Sequence, residues 1–134
     1  MKQPKLTPAE IEATLAQFSG SETYYENPVT KACGLVYTEG VKAMAEFCSA
    51  FWLIDLICSY QARCRKDPML REIQFWTLTV NGTPDGAHFE PATVVCERDS
   101  GDIAFQQTIE GTDFSLRAIE IWVGNGVMYL PSEH

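Results

Sequence analysis

Five short segments rich in β-branched and aromatic residues fill the second half of this 134-residue chain. They lie at residues 73–80 (IQFWTLTV), 92–97, 103–109, 117–123 and 127–130. Turn signals separate them, among them Asn81-Gly82 and Gly124-Asn125-Gly126. The pattern predicts an antiparallel meander of four or five strands. Because strands and helices do not alternate here, it argues against a parallel sheet.

Helices are predicted ahead of these strands. Thr7, Pro8 and Glu10 have the spacing of a capping box, which predicts a helix over residues 8–18. Residues 41–49 and 50–65 also have helical spacing; the second segment is almost entirely apolar and ends before Asp67-Pro68. Between these helices, residues 22–26 and 34–37 are predicted to form a small hairpin or a sheet edge.

These elements predict a single α+β domain over residues 1–134, with residues 1–6 as a loose tail. N-terminal helices, one of them nearly all apolar, are expected to pack on a C-terminal antiparallel β-meander. An apolar content of 46% is enough to supply a core. No window of 18 apolar residues occurs, so we do not expect a membrane as a partner.

The formal net charge of −8 disfavours direct binding to nucleic acid, which requires excess Lys and Arg. The eighteen acidic residues form no run. They fit either a solvated surface or a surface that imitates DNA. The five cysteines are an odd number without a C-x-x-C pair, and the start MKQPKLTPAE is not a signal peptide. We therefore predict reduced thiols and a cytoplasmic location.

Asp55 is the one charged residue in the apolar stretch AFWLIDLIC, residues 50–58. Helical spacing places it in a narrow polar seam with Ser59 and Arg63, where Ser59 is expected to donate to it. Four roles are open for Asp55: a satisfied structural carboxylate, a ligand contact, an interface residue or a catalytic acid. An enzyme using Asp55 or His88 is therefore one hypothesis.

Other chemical motifs are missing from the sequence. The cysteine spacings and the two histidines do not form a metal-ligand pattern. Neither a phosphate-binding glycine loop nor a nucleophile motif occurs. The sequence thus predicts no metal and no cofactor, and it favours a protein that is not an enzyme.

Four of the ten basic residues lie within nine positions, and aromatic residues follow them directly. Such a cluster binds phosphate groups, although a solvated helix end has the same composition. The candidate ligand-binding residues are Asp55, Arg63, Arg65, Lys66, Arg71, Trp76, Arg117 and Trp122. With Trp76 and Trp122 both pointing away from the core, the apolar patch between them would favour a homo-oligomer.

Several motifs together resemble a known family. They are residues 18–25 (FSGSETYY), 36–41 (VYTEGV), 50–55 (AFWLID), 75–80 (FWTLTV), 112–114 (TDF) and 130–133 (LPSE). The string resembles a family of small bacterial and phage proteins known only as a domain of unknown function, across residues 15–133. The resemblance implies no established activity and no catalytic residues.

The phage and mobile-element setting implied by this resemblance suggests a counter-defence role. The leading hypothesis is a non-enzymatic binding protein that captures a small nucleotide-like anionic ligand or a protein partner. The capture of a nucleotide-like ligand is proposed by analogy with the Thoeris anti-defence proteins, which sequester cyclic nucleotide signals. The alternative is an acidic, DNA-mimicking inhibitor of a nucleic-acid-binding effector such as a CRISPR complex. Both rest on analogy of size, charge and α+β shape.

Overall fold

The structure, a computed structural model, describes residues 7–19, 23–81, 90–112, 114 and 116–134. The predicted tail at residues 1–6 lies outside them. Within the described residues there are six α-helices, seven strands and one 3₁₀ helix. The helices are α1 (Pro8–Ala16), α2 (Pro28–Cys33), α3 (Glu39–Phe47), α4 (Phe51–Ser59), α5 (Gln61–Cys64) and α6 (Pro68–Glu72). The strands are β1 (Tyr24–Tyr25), β2 (Val36–Thr38), β3 (Ile73–Val80), β4 (Glu90–Asp99), β5 (Asp102–Thr112), β6 (Ala118–Gly124) and β7 (Val127–Tyr129); the 3₁₀ helix is Pro131–Glu133.

The prediction of an α+β fold is confirmed, but the predicted antiparallel meander is wrong. One seven-stranded sheet has the order β1-β2-β7-β6-β3-β4-β5. The β2 and β7 strands run parallel, whereas the other neighbours run antiparallel. The parallel pair forms because Tyr37 and Met128, which lie side by side in the register, are both buried. The Val36 N–H also donates to the Gly126 carbonyl at 2.9 Å.

β6 lies between β7 and β3 and does not pair with β5, the strand before it. It suits the sheet interior because Ile121 and Val123 are almost fully buried. β5 suits an edge because its residues are mostly polar and exposed, as Gln106 and Gln107 are. Phe114, in the connection between the two strands, is buried as well.

The helices predicted over residues 8–18 and 41–49 agree with α1 and α3, whereas α2 and the break after α4 were not predicted. The capping box of Thr7 and Glu10 begins α1 as predicted. α2 was not predicted; Asn27 caps its start, and Gly34 ends it in the left-handed region with φ 79°. The single helix predicted over residues 50–65 is instead two helices, α4 and α5, which break at Tyr60.

The sheet has one face toward the helices and one away from them, here called the open face. Alternate β3 residues are buried against the helices, and Trp76 is among them with 2% exposure. Its indole N–H donates to Oε1 of Gln74 at 2.8 Å. The expectation that Trp76 points away from the core is therefore wrong, because it shares its strand face with Leu78 and Val80. Trp122 does lie on the open face and is half-buried.

Candidate functional site

One row of side chains crosses the open face. The register pairs Tyr129 with Trp122, Trp122 with Phe75, Phe75 with Glu97, and Glu97 with Ile103. Side chains at paired positions lie about 5 Å apart at their Cβ atoms, so members of this row contact one another. The Phe75 and Trp122 rings meet edge to face, with centroids 5.1 Å apart and an interplanar angle of 89°.

His134 extends this row of aromatic rings. Its ring lies 5.2 Å from that of Trp122 and stacks on Tyr129 at 5.6 Å, nearly parallel. The Tyr129 hydroxyl and Nδ1 of His134 are 3.0 Å apart. Burial raises the pKa of the Tyr129 hydroxyl. Phe75, Trp122, Tyr129 and His134 thus form one aromatic cluster on the open face.

Three carboxylates border the aromatic cluster. Glu97, Asp99 and Glu120, together with Phe75 and Trp122, line an open depression of about 310 Å³, here called the acidic depression. The Gly101 N–H donates to Glu97 at 2.6 Å, and the Ser100 N–H donates to Asp99 at 2.8 Å. The turn between β4 and β5 therefore fixes two of the carboxylates. The volume lies at the lower end of the range for ligand sites, about 300–1,000 Å³.

The sheet carries a strong imbalance of charge. Its strands contain the acidic residues Glu90, Glu97, Asp99, Asp102, Glu110 and Glu120, and one basic residue, Arg98. Arg98 is already engaged: its Nε lies 2.6 Å from Asp67 Oδ2, and its Nη1 lies 3.2 Å from Asp102 Oδ1. The hydrogen bond from Arg98 lowers the pKa of the Asp67 carboxyl. No strand residue therefore supplies a free cation to the acidic depression.

The predicted basic residues lie away from Trp122. Arg65 and Arg71 line a small cleft on the helical side of the sheet, and Arg65 Nη2 donates to the Cys33 carbonyl. Arg63 lies over the Tyr60 ring, 5.3 Å from its centroid, and Lys66 is exposed. The sheet thus separates this cluster from the open face.

Arg117 is exposed, and its carbonyl accepts from the Val80 N–H at 2.8 Å, so its backbone continues the pairing of β6 with β3.

Asp55 does not have the predicted surroundings. It is exposed on α4, and within the described residues no hydrogen bond or ion pair joins it to another side chain. The Ser59 hydroxyl donates to the Leu56 carbonyl at 2.5 Å rather than to Asp55. The polar seam also ends at Tyr60, where the helix breaks. His88 lies outside the described residues, so its distance from Asp55 stays untested.

The thiols are poorly suited to nucleophilic chemistry. All five cysteines are free, and four of them are buried. Burial raises the pKa of Cys64 to about 11 and that of Cys96 to about 12. Burial and the neighbouring Cys33 thiol raise the pKa of Cys58 as well. Since the thiolate is the nucleophile, these groups are not activated.

Sequence reasoning missed most of the open-face residues. Glu97, Asp99, Glu120, Phe75 and Tyr129 were not among the candidates. They belong to four strands, β3, β4, β6 and β7, and they come together only because these strands are consecutive neighbours in the sheet. Alternation along β3 and β6 shows which residues share a face, but it does not show which strands are neighbours.

A buried carboxylate joins two segments that carried the family resemblance. Glu133, from LPSE, accepts from the Thr38 hydroxyl at 2.7 Å and from the Gly40 N–H at 3.4 Å, both in VYTEGV. It also accepts from the Leu130 N–H at 2.9 Å. A Cβ atom on Gly40 would lie 2.5 Å from Glu133 Oε1, so a larger residue there would force the Glu133 side chain to shift. The two motifs form one structural unit.

The sequence model of a protein family matches residues 9–134; its description is a family of unknown function, DUF6876. The chain belongs to this family. The match confirms the resemblance to a domain of unknown function. No curated protein and no solved structure matches the chain. The family description carries no established activity.

Neither a cluster of metal ligands nor a membrane-spanning helix occurs among the described residues. No group of three or more His, Cys, Asp or Glu side chains there is placed to hold a metal ion. Likewise, none of the helices that the structure describes has the length and apolar character needed to cross a bilayer.

Proposed function

We propose that this protein is a non-enzymatic binding protein that docks its open face onto an arginine-bearing surface of a protein partner. The observation that carries the proposal is the acidic depression. Its wall contains the aromatic rings of Phe75 and Trp122 and the carboxylates of Glu97, Asp99 and Glu120. No strand residue neutralises these carboxylates, because Arg98 is engaged elsewhere.

Arginine is the side chain that best fits this combination of groups. Its guanidinium is planar, stacks on aromatic rings and forms paired hydrogen bonds with carboxylates. Glu97 lies across from Phe75 in the register, and Glu120 lies across from Thr77. A guanidinium over the Phe75–Trp122 pair therefore has carboxylates on two sides.

Charge disfavours the other occupants considered from the sequence. A second copy docking by the same face brings Glu97, Asp99 and Glu120 close to their own counterparts, which is unfavourable. The same carboxylates repel the phosphate of a nucleotide. Trp76 is buried and has no free ring face for a base. A basic protein surface is therefore favoured over self-association and over a nucleotide at this site.

An inhibitor of a nucleic-acid-binding protein is one kind of binding protein that docks onto an arginine-bearing surface. The grooves of such proteins present Arg and Lys side chains to the phosphate backbone. A negatively charged face with exposed aromatic rings complements such a groove. The proposal thus retains the acidic-inhibitor hypothesis and names the surface that would dock.

Two matched double variants test the role of position against that of net charge. Glu97→Gln with Glu120→Gln removes two charges from the open face. Glu12→Gln with Asp55→Asn removes two from exposed helix positions. With a hexa-arginine peptide as the probe, we expect the open-face pair to weaken binding about fivefold, as for two partly exposed ion pairs. We expect the helix pair to change it less than about twofold, by screened long-range charge alone. Isothermal titration calorimetry measures both dissociation constants.

Equal weakening by the two pairs would show that the peptide responds only to net charge, and it would contradict the proposal. Unchanged binding in both pairs would contradict it as well. Sedimentation velocity on the same samples adds a third outcome. Dimerisation that the open-face pair strengthens would identify a second copy as the occupant in place of a basic partner.

A further inference from the structure

On the helical side of the sheet, Arg65 and Arg71 line a cleft of about 150 Å³, here called the arginine cleft. Its other walls include Gly34 at the end of α2, Asn125 in the β6–β7 turn, and the buried pair Gln61 and Gln74. No described residue that lines it is acidic, although acidic residues outnumber basic ones in the chain by eighteen to ten. Positive charge is therefore concentrated locally.

The Gln61–Gln74 pair in the wall of the cleft is neutral and fully hydrogen-bonded. Gln61 Nε2 donates to the Ile57 carbonyl at 3.0 Å and to Gln74 Oε1 at 2.9 Å. Gln74 Nε2 donates to the Leu70 carbonyl at 3.2 Å and to Gln61 Oε1 at 3.0 Å. Both N–H groups of each amide are thus in use. The two arginines are the charged donors that remain for a ligand.

A hydrogen bond holds the Arg65 side chain at the cleft, where it can donate to a ligand. Its Nη2 donates to the Cys33 carbonyl, which holds the guanidinium beside Gly34. A guanidinium has five N–H donors, so this bond leaves others available. Within the described residues, no carboxylate pairs with Arg71. Guanidinium groups bind phosphate through paired, charge-assisted hydrogen bonds, so two of them at one cleft favour an oxyanion as the ligand.

We propose that the arginine cleft binds a phosphate group, either as free phosphate or as the terminal phosphate of a larger molecule. Its volume is below the range of about 300–1,000 Å³ typical of sites for whole small molecules. It therefore accepts the anionic group and leaves the remainder of a phosphate ester outside. The cleft shares no lining residue with the acidic depression, although its residues Gly124 and Asn125 also border a pocket beside Tyr129 and His134.

Titration of the full chain with sodium phosphate, at constant ionic strength, tests the proposal. We expect the backbone amide NMR signals of Gly34 and Gly126, which line the cleft, to shift and saturate. Arg71→Gln should raise the dissociation constant about tenfold, the effect of losing one charge-assisted hydrogen bond. Lys66→Gln removes a neighbouring exposed charge that does not line the cleft, and it should leave the constant within about twofold. Arg71 is the better target because Arg65→Gln also removes the bond to Cys33.

Adenosine 5′-monophosphate and adenosine distinguish the phosphate group from the rest of a nucleotide. We expect the monophosphate to shift the same glycine signals as free phosphate does, and adenosine to shift none. Absence of any phosphate-induced shift at the cleft would overturn the proposal. So would equal weakening by Arg71→Gln and Lys66→Gln, or saturable binding of adenosine at these glycines.

Discussion

The Glu133→Ala variant is expected to lose about 3 kcal/mol of unfolding free energy, within the range for breaking a buried hydrogen-bond network around a charge. Glu133 is 9% exposed and accepts from the Thr38 hydroxyl, the Gly40 N–H and the Leu130 N–H. Truncation removes the acceptor of all three donors. It also opens a space where α3 begins and β7 ends. Urea unfolding followed by circular dichroism measures the loss.

Glu133→Gln is the matched control, because it keeps the length of the side chain and one acceptor oxygen. We expect it to cost about 1 kcal/mol, a typical value for one neutral hydrogen bond. Gly40→Ala should also destabilise the fold, since its Cβ would lie 2.5 Å from Glu133 Oε1 and 2.8 Å from Leu130 Cδ1. If Glu133→Ala is as stable as the wild type, the two family motifs are not held together by this carboxylate.

The Trp122→Ala variant is expected to weaken binding of hexa-arginine at least about tenfold, as for a central aromatic residue in an interface. Trp122 contacts Phe75, Tyr129 and His134 by its ring, so its loss removes the centre of the aromatic cluster. It is half-buried on the open face and does not belong to the buried core. We therefore expect the variant to fold. Calorimetry gives the affinity, and circular dichroism confirms the fold.

Phe51→Ala is the control for this variant. Phe51 is a large apolar residue with 40% exposure at the start of α4, on the helical layer. Its loss should leave peptide affinity within about twofold, the scatter expected of a surface position without a contact. Trp122→Phe keeps a ring face and should bind with intermediate affinity. A Trp122→Ala protein that is folded and binds normally would exclude the aromatic cluster as a contact surface.

Interactions between residues close in sequence explain the predictions that were correct. The strand over residues 73–80 was located to the residue, because β-branched and aromatic side chains alternate there between a helical signal and Asn81. α1 begins where Thr7, Pro8 and Glu10 predict, since a capping box acts through hydrogen bonds three residues apart. Asp67-Pro68 was predicted only to end a helix; Asp67 also accepts from the first N–H groups of α6, a helix that was not predicted.

Long-range pairing explains what the sequence did not predict. Nothing local places β6 beside β3 or β7 beside β2; those neighbours follow from how the buried side chains of distant segments fit together. Trp76 was placed on the wrong side because both faces of β3 carry an aromatic residue, and alternation alone does not identify the inner one. Glu97 lies in the site only because it pairs with Phe75 between β4 and β3.

The basic cluster of Arg63, Arg65, Lys66 and Arg71 also combines a correct local prediction with a tertiary arrangement that was not predicted. Its four residues were correctly identified as a local concentration of charge, yet the fold distributes them over different surroundings. Arg65 and Arg71 reach the arginine cleft, whereas Arg63 covers the Tyr60 ring. α5 ends at Cys64 and α6 begins at Pro68, so these four residues do not share one helix face.

A hexa-arginine titration, followed through the NMR signals of the three tryptophan indole N–H groups, tests whether an arginine-bearing partner docks on the open face. Trp76 is buried with its N–H bonded to Gln74, Trp52 lies on α4, and Trp122 lies on the open face. Trp52→Phe and Trp122→Phe assign the signals. Docking on the open face predicts that the Trp122 signal alone moves and saturates, and that hexa-glutamate moves none. Movement of the Trp52 signal with the Trp122 signal unchanged would contradict it.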